Sequence, residues 1–116
     1  PLLKAADQAR IVMMSSGVGS LTLITDPTSI YSSVNLLDYT SSKVALNAVT
    51  VSFAKELEGL GIKVNAVEPG HVRTDLNGNS AVLTPEEGAA TAIKMALLGP
   101  EGPTGGFFGS HGRQPW

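Results

Sequence analysis

The 116-residue chain contains no cysteine, only 16% charged residues and a formal net charge of −2. The absence of cysteine excludes disulfides and thiolate metal sites and fits a reducing compartment, so we predict a cytoplasmic location. No basic run occurs, which argues against nucleic acid or an anionic membrane surface as a partner. No apolar run approaches the roughly 18 residues of a membrane span, and no signal-peptide pattern is present. With 42% hydrophobic residues, the composition indicates one small globular domain.

A second absence concerns glycine motifs. Nucleotide-binding α/β domains begin with a strand, a Gly-rich turn and a helix. No such turn lies near the start of this sequence: Gly17 and Gly19 follow two serines without a third glycine, and Gly59-Leu60-Gly61 ends a helical pattern instead of opening one. The sequence therefore lacks the turn by which such domains hold a nucleotide.

The hydrophobic pattern predicts three strands that alternate with helices. The continuous β-favouring apolar runs are typical of buried parallel strands, and the predicted strands span 10–15, 62–67 and 105–109. The predicted helices span 1–9, 38–58 and a segment from Pro85 to the stop at Gly99-Pro100, and residues 110–116 form a tail. Such alternation implies parallel pairing with right-handed crossovers. The predicted fold class is α/β, the C-terminal part of a doubly wound parallel sheet with three strands and flanking helices.

The longest predicted helix has an amphipathic interpretation. Asp38 is placed to cap its start, and Gly59 and Gly61 end it. Apolar residues at 3-4-4-3 spacing predict the face that packs on the sheet: Leu46, Val49, Phe53, Leu57 and Leu60. Small residues on the other faces permit close helix–helix packing: Val44, Ala48, Val51 and Ala54. Further on, Thr84-Pro85-Glu86-Glu87 predicts a capping box with proline at the first helical position.

Two connections are long enough to carry function. Residues 17–38 are rich in Ser and Thr and are broken by Asp26-Pro27, and connections of this length without clear structure are often functional. Their apolar residues either wall a substrate pocket or pack the loop on itself, and both interpretations stay open: Leu21, Leu23, Ile24, Tyr31 and Leu36. Residues 71–79 are polar and rich in Gly and Asn, which is typical of a mobile flap over a ligand.

The strongest chemical pattern is Tyr39-Thr40-Ser41-Ser42-Lys43 at the start of the longest helix. Tyr39 and Lys43 are four residues apart, so they share one helix face. A free phenol has a pKa of about 10 and exchanges protons poorly at neutral pH, whereas a nearby ammonium favours the phenolate. The pair can act as one tuned acid/base group, and the alternative is an aromatic cap beside a solvated lysine. Tyr31 is a weaker candidate because Asn35, four positions on, carries no charge.

Two further motifs flank this pattern. Upstream, an apolar run ends in Ser15-Ser16-Gly17, and downstream Asn65-Ala66-Val67-Glu68-Pro69-Gly70 precedes Thr74. In this order the serine, YxxxK and NxxxPGxxxT motifs resemble the short-chain dehydrogenase/reductase (SDR) family, and its carbonyl-reductase-like members, over essentially the whole chain. The resemblance implies that residues 1–116 are the C-terminal half of a single Rossmann-type domain, with the nucleotide-binding half upstream. A naturally short homologue is the alternative. The residues that distinguish NAD from NADP, and a further catalytic asparagine, would lie upstream.

The resemblance also implies roles for individual residues. Tyr39 would be the acid/base, Lys43 would tune it and bind the nicotinamide ribose, and Ser16, favoured over Ser15, would bind the substrate oxygen at the carboxyl end of its strand. The implied cofactor contacts are Tyr39, Lys43, Pro69, Gly70, Val72 and Thr74. The implied substrate pocket comprises Ser16, Gly17, Leu23, Tyr39 and His71. The cofactor is NADP or NAD, with NADP slightly favoured by the resemblance.

We therefore predict an oxidoreductase that transfers a hydride between NAD(P)(H) and a small-molecule carbonyl or alcohol substrate, although we expect the isolated 116-residue chain to be inactive. The alternative is a catalytically incomplete fragment or homologue that acts only as a binding or self-associating module. In related reductases the helix that carries the tyrosine pairs across a two-fold axis, so we predict a homodimer or homotetramer through this helix. No metal is expected, and His71 and His111 are interpreted as ordinary loop residues.

Overall fold

In the computed structural model, which describes residues 1–116, one four-stranded sheet runs through the molecule. The strands are β1 (Arg10–Met14), β2 (Lys63–Val67), β3 (Phe107–Gly109) and β4 (Gly112–Gln114), and they lie in that spatial order. β1, β2 and β3 pair in parallel, whereas β4 turns back antiparallel to β3. The predicted α/β class and the three parallel strands are confirmed. The predicted tail at 110–116 is wrong in part, because β4 forms within it.

The helices are α1 (Leu2–Ala5), α2 (Leu21–Thr25), α3 (Leu37–Leu57) and α4 (Pro85–Ala96), with 3-10 turns at Gly17–Gly19, Glu58–Leu60 and Asp75–Asn77. The predicted first helix shrinks to one turn, and α2 forms inside the connection that was predicted to lack structure. Asp38 lies within the first turn of α3 and does not cap it, although an acidic residue there still complements the helix dipole. The predicted capping box is present: Thr84 and Glu87 exchange hydrogen bonds of 2.8 and 3.2 Å at the start of α4.

The sheet carries one helix on each face. On one face, Ala54 of α3 packs with Ala9, Ile62 and Val64. On the other face, Met95 of α4 packs with Val67 and Phe108. Val64 and Val67 are an odd number of residues apart on β2, so their side chains point to opposite faces of the sheet. The two clusters together form the apolar core of a three-layer α/β arrangement.

The predicted sheet-facing stripe of α3 is wrong for Val49, Phe53 and Leu60, whereas Leu57 packs against the apolar core as predicted. The buried residues of this helix are Asn47, Thr50 and Ala54, whereas Val49 is 42% exposed and Phe53 is 40% exposed. Small side chains let the helix approach the sheet closely, and Thr50 satisfies its buried hydroxyl by donating to the Leu46 carbonyl oxygen at 2.8 Å. Of the remaining stripe residues, Leu46 and Leu57 are half-buried and Leu60 is exposed.

Two apolar surfaces stay uncovered. β1 is an edge strand of the sheet, since only its β2 side is paired, and its last residue, Met14, is 46% exposed. On α3, an open groove of about 250 Å³ is lined by Gly19, Leu21, Val44, Asn47, Ala48, Val51 and Trp116. None of the helices combines the length and the apolar character that crossing a membrane would require.

Candidate active site

The predicted site residues lie on segments that follow neighbouring strands. β1 and β2 pair in register through Met14 and Val67, so the segments that leave these strands start at the same edge of the sheet. The 3-10 turn Gly17–Gly19 follows β1 and packs against α3. The carboxyl edge of a parallel sheet is where ligands of doubly wound folds bind. The topology therefore favours this edge as the site.

The two adjacent serines have different environments. Ser15 is buried and donates its hydroxyl to Asn47 Oδ1 at 2.6 Å. Ser16 is half-buried, precedes the Gly17–Gly19 turn and makes no side-chain hydrogen bond within the chain. A hydroxyl without a partner inside the protein is the one that can bind a ligand oxygen, so the geometry favours Ser16 over Ser15.

Tyr39 and Lys43 meet at the start of α3. The Lys43 Nζ atom lies 5.5 Å from the centre of the Tyr39 ring, which is within cation–π range. The same ammonium donates to the Met14 carbonyl oxygen at 3.0 Å, so Lys43 is held at the end of β1. Tyr39 is 44% exposed, and its hydroxyl has no partner within the chain. The phenol is therefore open to a ligand while a cation lies beside its ring.

Asn47 is a site-supporting residue that the sequence analysis missed. Besides accepting from Ser15, Asn47 donates its Nδ2 to the Gly19 carbonyl oxygen at 2.9 Å. Gly19 in turn packs on Lys43, because a Cβ at Gly19 would lie 3.0 Å from Lys43 Cβ. Asn47 thus joins α3 to the turn after β1. The available signal was its place on α3, eight residues after Tyr39 and four after Lys43, on the same helix face.

The loop after β2 has its own hydrogen-bonded structure. Gly70 has φ of 74°, a backbone conformation that disfavours any side chain, and a Cβ there would also push on the end of the Leu83 side chain, 2.8 Å away. Asn77 accepts from the Thr74 backbone nitrogen at 3.2 Å and donates to the Val72 carbonyl oxygen at 2.7 Å. A single parallel bridge between Val72 and Leu83 closes the loop. The segment predicted as a mobile flap therefore folds into a turn with internal bonds.

The second tyrosine of the chain belongs to a separate cluster. Tyr31 donates its hydroxyl to Glu68 Oε2 at 2.8 Å, and Gln114 donates to Glu68 Oε1 at 2.8 Å. Burial, followed by the hydrogen bond and charge of Glu68, raises the pKa of Tyr31. A raised pKa is the wrong direction for a phenol that must exchange protons near neutral pH, so the environment argues against Tyr31 as an acid/base.

The other predicted pocket residues are distributed unevenly. Gly17 is buried against Tyr31 and Glu68. Leu23 is half-buried on α2, while His71, Thr74 and His111 are exposed. Of the remaining apolar residues of the 17–38 connection, Leu21 lines the groove on α3, and Leu36 is exposed. No group of three or more His, Asp or Glu side chains is arranged to hold a metal ion.

Comparison with known proteins establishes the family. The family model described as short chain dehydrogenase matches residues 1–82. That match covers more than half of the chain, and it includes the Ser16, Tyr39–Lys43 and Pro69–Thr74 motifs. The chain belongs to the short-chain dehydrogenase family, a family of oxidoreductases.

Individual relatives agree with this family. Salutaridine reductase of Papaver bracteatum is 32% identical, over 93% of this chain and 45% of the relative. Carbonyl reductase Sniffer of D. melanogaster has a TM-score of 0.75 and 32% identity, covering 100% of this chain and 49% of that one. The NADPH-bound carbonyl reductase from chicken fatty liver has a TM-score of 0.77 and 26% identity, covering 100% and 49%. The chain spans about half the length of these proteins.

Proposed function

We propose that this chain supplies the proton-transfer residues of a nicotinamide-dependent reductase of small carbonyl or alcohol compounds. The observation that carries the proposal is the Tyr39–Lys43 pair at the end of β1, with the phenol hydroxyl open and the Lys43 Nζ 5.5 Å from the ring centre. Membership of the family and the likeness to two carbonyl reductases support the same reaction class.

Tyr39 has the properties of a proton donor and acceptor for the substrate oxygen. During reduction, its hydroxyl gives a proton to the oxygen of the carbonyl group; during oxidation, the phenolate takes it back. Lys43 places a positive charge beside the phenolate that is left when the proton has been given up. Lys43 is kept in place for this by its bond to the Met14 carbonyl oxygen.

Ser16 is the proposed electrostatic partner of the substrate oxygen. Its hydroxyl makes no bond within the chain, so it can donate to the oxygen on which negative charge develops. Ser15 cannot do this without giving up its 2.6 Å bond to Asn47. We therefore assign the substrate contact to Ser16, because the hydroxyl of Ser15 already has a hydrogen-bond partner inside the protein and that of Ser16 has none.

The residues fit a nicotinamide cofactor. A bound NADP or NAD would supply or accept the hydride, and the NADPH in the chicken enzyme supports NADP. The Lys43 ammonium has three N–H donors. One of them bonds the Met14 carbonyl oxygen, which leaves the others for ribose hydroxyls. Gly70, without a side chain and with positive φ, allows close approach of a ring, and we assign Pro69, Val72 and Thr74 to the same contact.

Self-association through α3 is the proposed assembly. This helix carries exposed Val49 and Phe53 on one flank and the groove beside Ala48 and Val51 on the other. An isologous contact between two such faces would cover apolar surface on both copies at once. This exposed face also favours the second candidate function, a self-associating module without catalysis, and the activity measurement below separates the two.

Tyr39→Phe in the full-length gene product tests the reaction. The change removes only the hydroxyl, so we expect kcat with an aromatic aldehyde panel to fall by about 10³-fold, within the range of general acid–base catalysis. NADPH affinity, measured by fluorescence titration, should change less than about twofold. Lys43→Met should weaken both turnover and NADPH binding, with Lys55→Met, at the far end of α3, as a matched control. A Tyr39→Phe protein that keeps most of its kcat would overturn the assignment.

A further inference from the structure

A buried carboxylate lies between the ends of three strands. Glu68 is only 9% exposed although it carries a charge, and charged side chains are rarely buried unless paired. A Cβ at Gly17, after β1, would lie 2.5 Å from Glu68 Oε2, and a Cβ at Gly109, in β3, would lie 3.0 Å from Oε1. The carboxylate therefore occupies the space that side chains at these two glycines would need.

Both oxygens of this carboxylate are satisfied by side chains from distant segments. Tyr31, in the connection 17–38, donates to Oε2, and Gln114, on β4, donates to Oε1, each at 2.8 Å. The Tyr31 ring also packs on Gly17, since a Cβ at Gly17 would collide with it. We call Tyr31, Glu68 and Gln114 the latch. The latch joins the connection after β1, the end of β2 and the β4 strand.

The position of the latch next to Ser16 gives it a consequence for the site. Gly17 directly follows Ser16 and begins the 3-10 turn, whose Gly19 backbone nitrogen donates to the Ser16 carbonyl oxygen at 2.9 Å. On its other side this turn is held by Asn47 through Gly19. The turn that carries Ser16 is thus fixed from two directions, by α3 and by the latch.

We propose that Tyr31 and Glu68 are positioning residues that hold the Ser16 turn and the 17–38 connection in place for the reaction. The proposal rests on the proposed function above. Neither residue transfers the proton: Glu68 accepts two bonds and Tyr31 donates one. Their effect is on the placement of the Ser16 hydroxyl, and small misplacements of a group that acts in the transition state are costly in rate.

Tyr31→Phe tests the latch while keeping the ring that packs on Gly17. In the full-length gene product we expect kcat for aldehyde reduction to fall by about tenfold with an unchanged NADPH dissociation constant, and amide hydrogen exchange of residues 17–34 to become faster. The matched control is Thr28→Ala, which removes an exposed 2.7 Å hydrogen bond to Asp26 in the same connection. That control should change neither quantity.

Glu68→Gln is the conservative variant, in which both hydrogen bonds of the latch can form again. The oxygen of the new amide can still accept from Tyr31. Gln114 Oε1 is buried without a partner. If the Gln114 amide turns over, this oxygen can accept a hydrogen bond from the nitrogen of the new amide. We expect this variant to stay within about twofold of the parent protein, since both bonds of the latch can be rebuilt. Glu68→Leu, which has a similar size and no acceptor, should reproduce or exceed the Tyr31→Phe loss.

The outcomes separate this proposal from the proposed function. Unchanged hydrogen exchange in Tyr31→Phe overturns the latch, whatever the activity. Faster exchange with unchanged kcat overturns the positioning role. If the parent protein reduces no carbonyl compound, the proposed function has failed; the positioning role fails with it, and the exchange data alone decide whether the latch exists.

Discussion

In a simple amphipathic helix the buried side is apolar and the exposed side is polar, but α3 buries two polar residues and exposes two large apolar ones. The side toward the sheet and the Gly17–Gly19 turn buries Asn47 and Thr50, which make specific hydrogen bonds. The outward side exposes Val49 and Phe53. On the inner side, Asn47 bonds Ser15 and Gly19 and Lys43 bonds the Met14 carbonyl oxygen, next to the apolar contact of Ala54, whereas the outer side offers apolar surface without such bonds. Helix α3 is thus joined to the Gly17–Gly19 turn and to the end of β1 by hydrogen bonds, while Val49 and Phe53 stay exposed.

Removing the central amide of the inner side should have the largest effect on stability. Asn47→Ala leaves the buried Ser15 hydroxyl and the Gly19 carbonyl oxygen without their partner, so we expect a loss of about 2–3 kcal/mol in the free energy of unfolding. Urea denaturation measures this. Asn35→Ala, at an exposed position, is the control and should cost less than about 0.5 kcal/mol. Equal losses for the two variants would contradict the special role of the inner side.

An intermediate effect on stability is expected at alkaline pH, and it comes from Tyr31. The pKa of Tyr31 is raised in the folded state by burial and by Glu68, so the unfolded chain loses the phenol proton first, near pH 10. Stability is then fully present below about pH 10 and falls as pH rises above it. Thermal melts between pH 8 and 11 should show a steeper decline for the parent protein than for Tyr31→Phe. Parallel declines would show that another group dominates.

The smallest effect on the fold is expected on the outward side. Phe53→Gln replaces a residue that is already 40% exposed, so the free energy of unfolding of a monomer should change by less than about 0.5 kcal/mol. Sedimentation velocity should nevertheless show a smaller assembly, because the proposed interface loses an aromatic contact on each copy. Ala48→Glu, at another exposed position of α3, should act in the same direction. Unchanged sedimentation for both variants would place the interface elsewhere or exclude it.

Local patterns were predictable where neighbouring residues decide the structure. The continuous apolar runs of β1 and β2 and the Thr84–Glu87 capping box depend on residues close in sequence, so their positions follow from periodicity and cap chemistry. The left-handed Gly61, with φ of 69°, ends the α3 segment for the same reason. The predicted parallel order followed because the crossovers leave few alternatives.

Features that depend on distant partners were not predictable from periodicity. Asn47 is buried because Ser15, 32 residues away, donates to it, and no helix pattern favours a buried amide over Val49. The bond between Tyr31 and Glu68 spans 37 residues. β4 forms within a polar segment, and the following Trp116 stacks on Phe107 at a centroid distance of 5.7 Å. For Asn47 and Tyr31 a contact across the fold overrode the local preference, whereas β4 pairs with the adjacent β3 across a short turn and lacks the apolar pattern that predicts a strand.

The pairing of β1 with β2 also determines when, during synthesis, β1 can find its strand partner. Arg10 pairs with Lys63, so the only strand that pairs with β1 in this sheet is made more than 50 residues later, after the whole of α3. At a translation rate of about 5–20 residues per second, β1 waits roughly 3–10 seconds for that strand. During this interval the edge of Ile11–Met14 that pairs with β2 has no strand beside it, and unpaired apolar strand edges favour aggregation or chaperone binding. The growing chain therefore carries this open edge of β1 until β2 emerges from the ribosome.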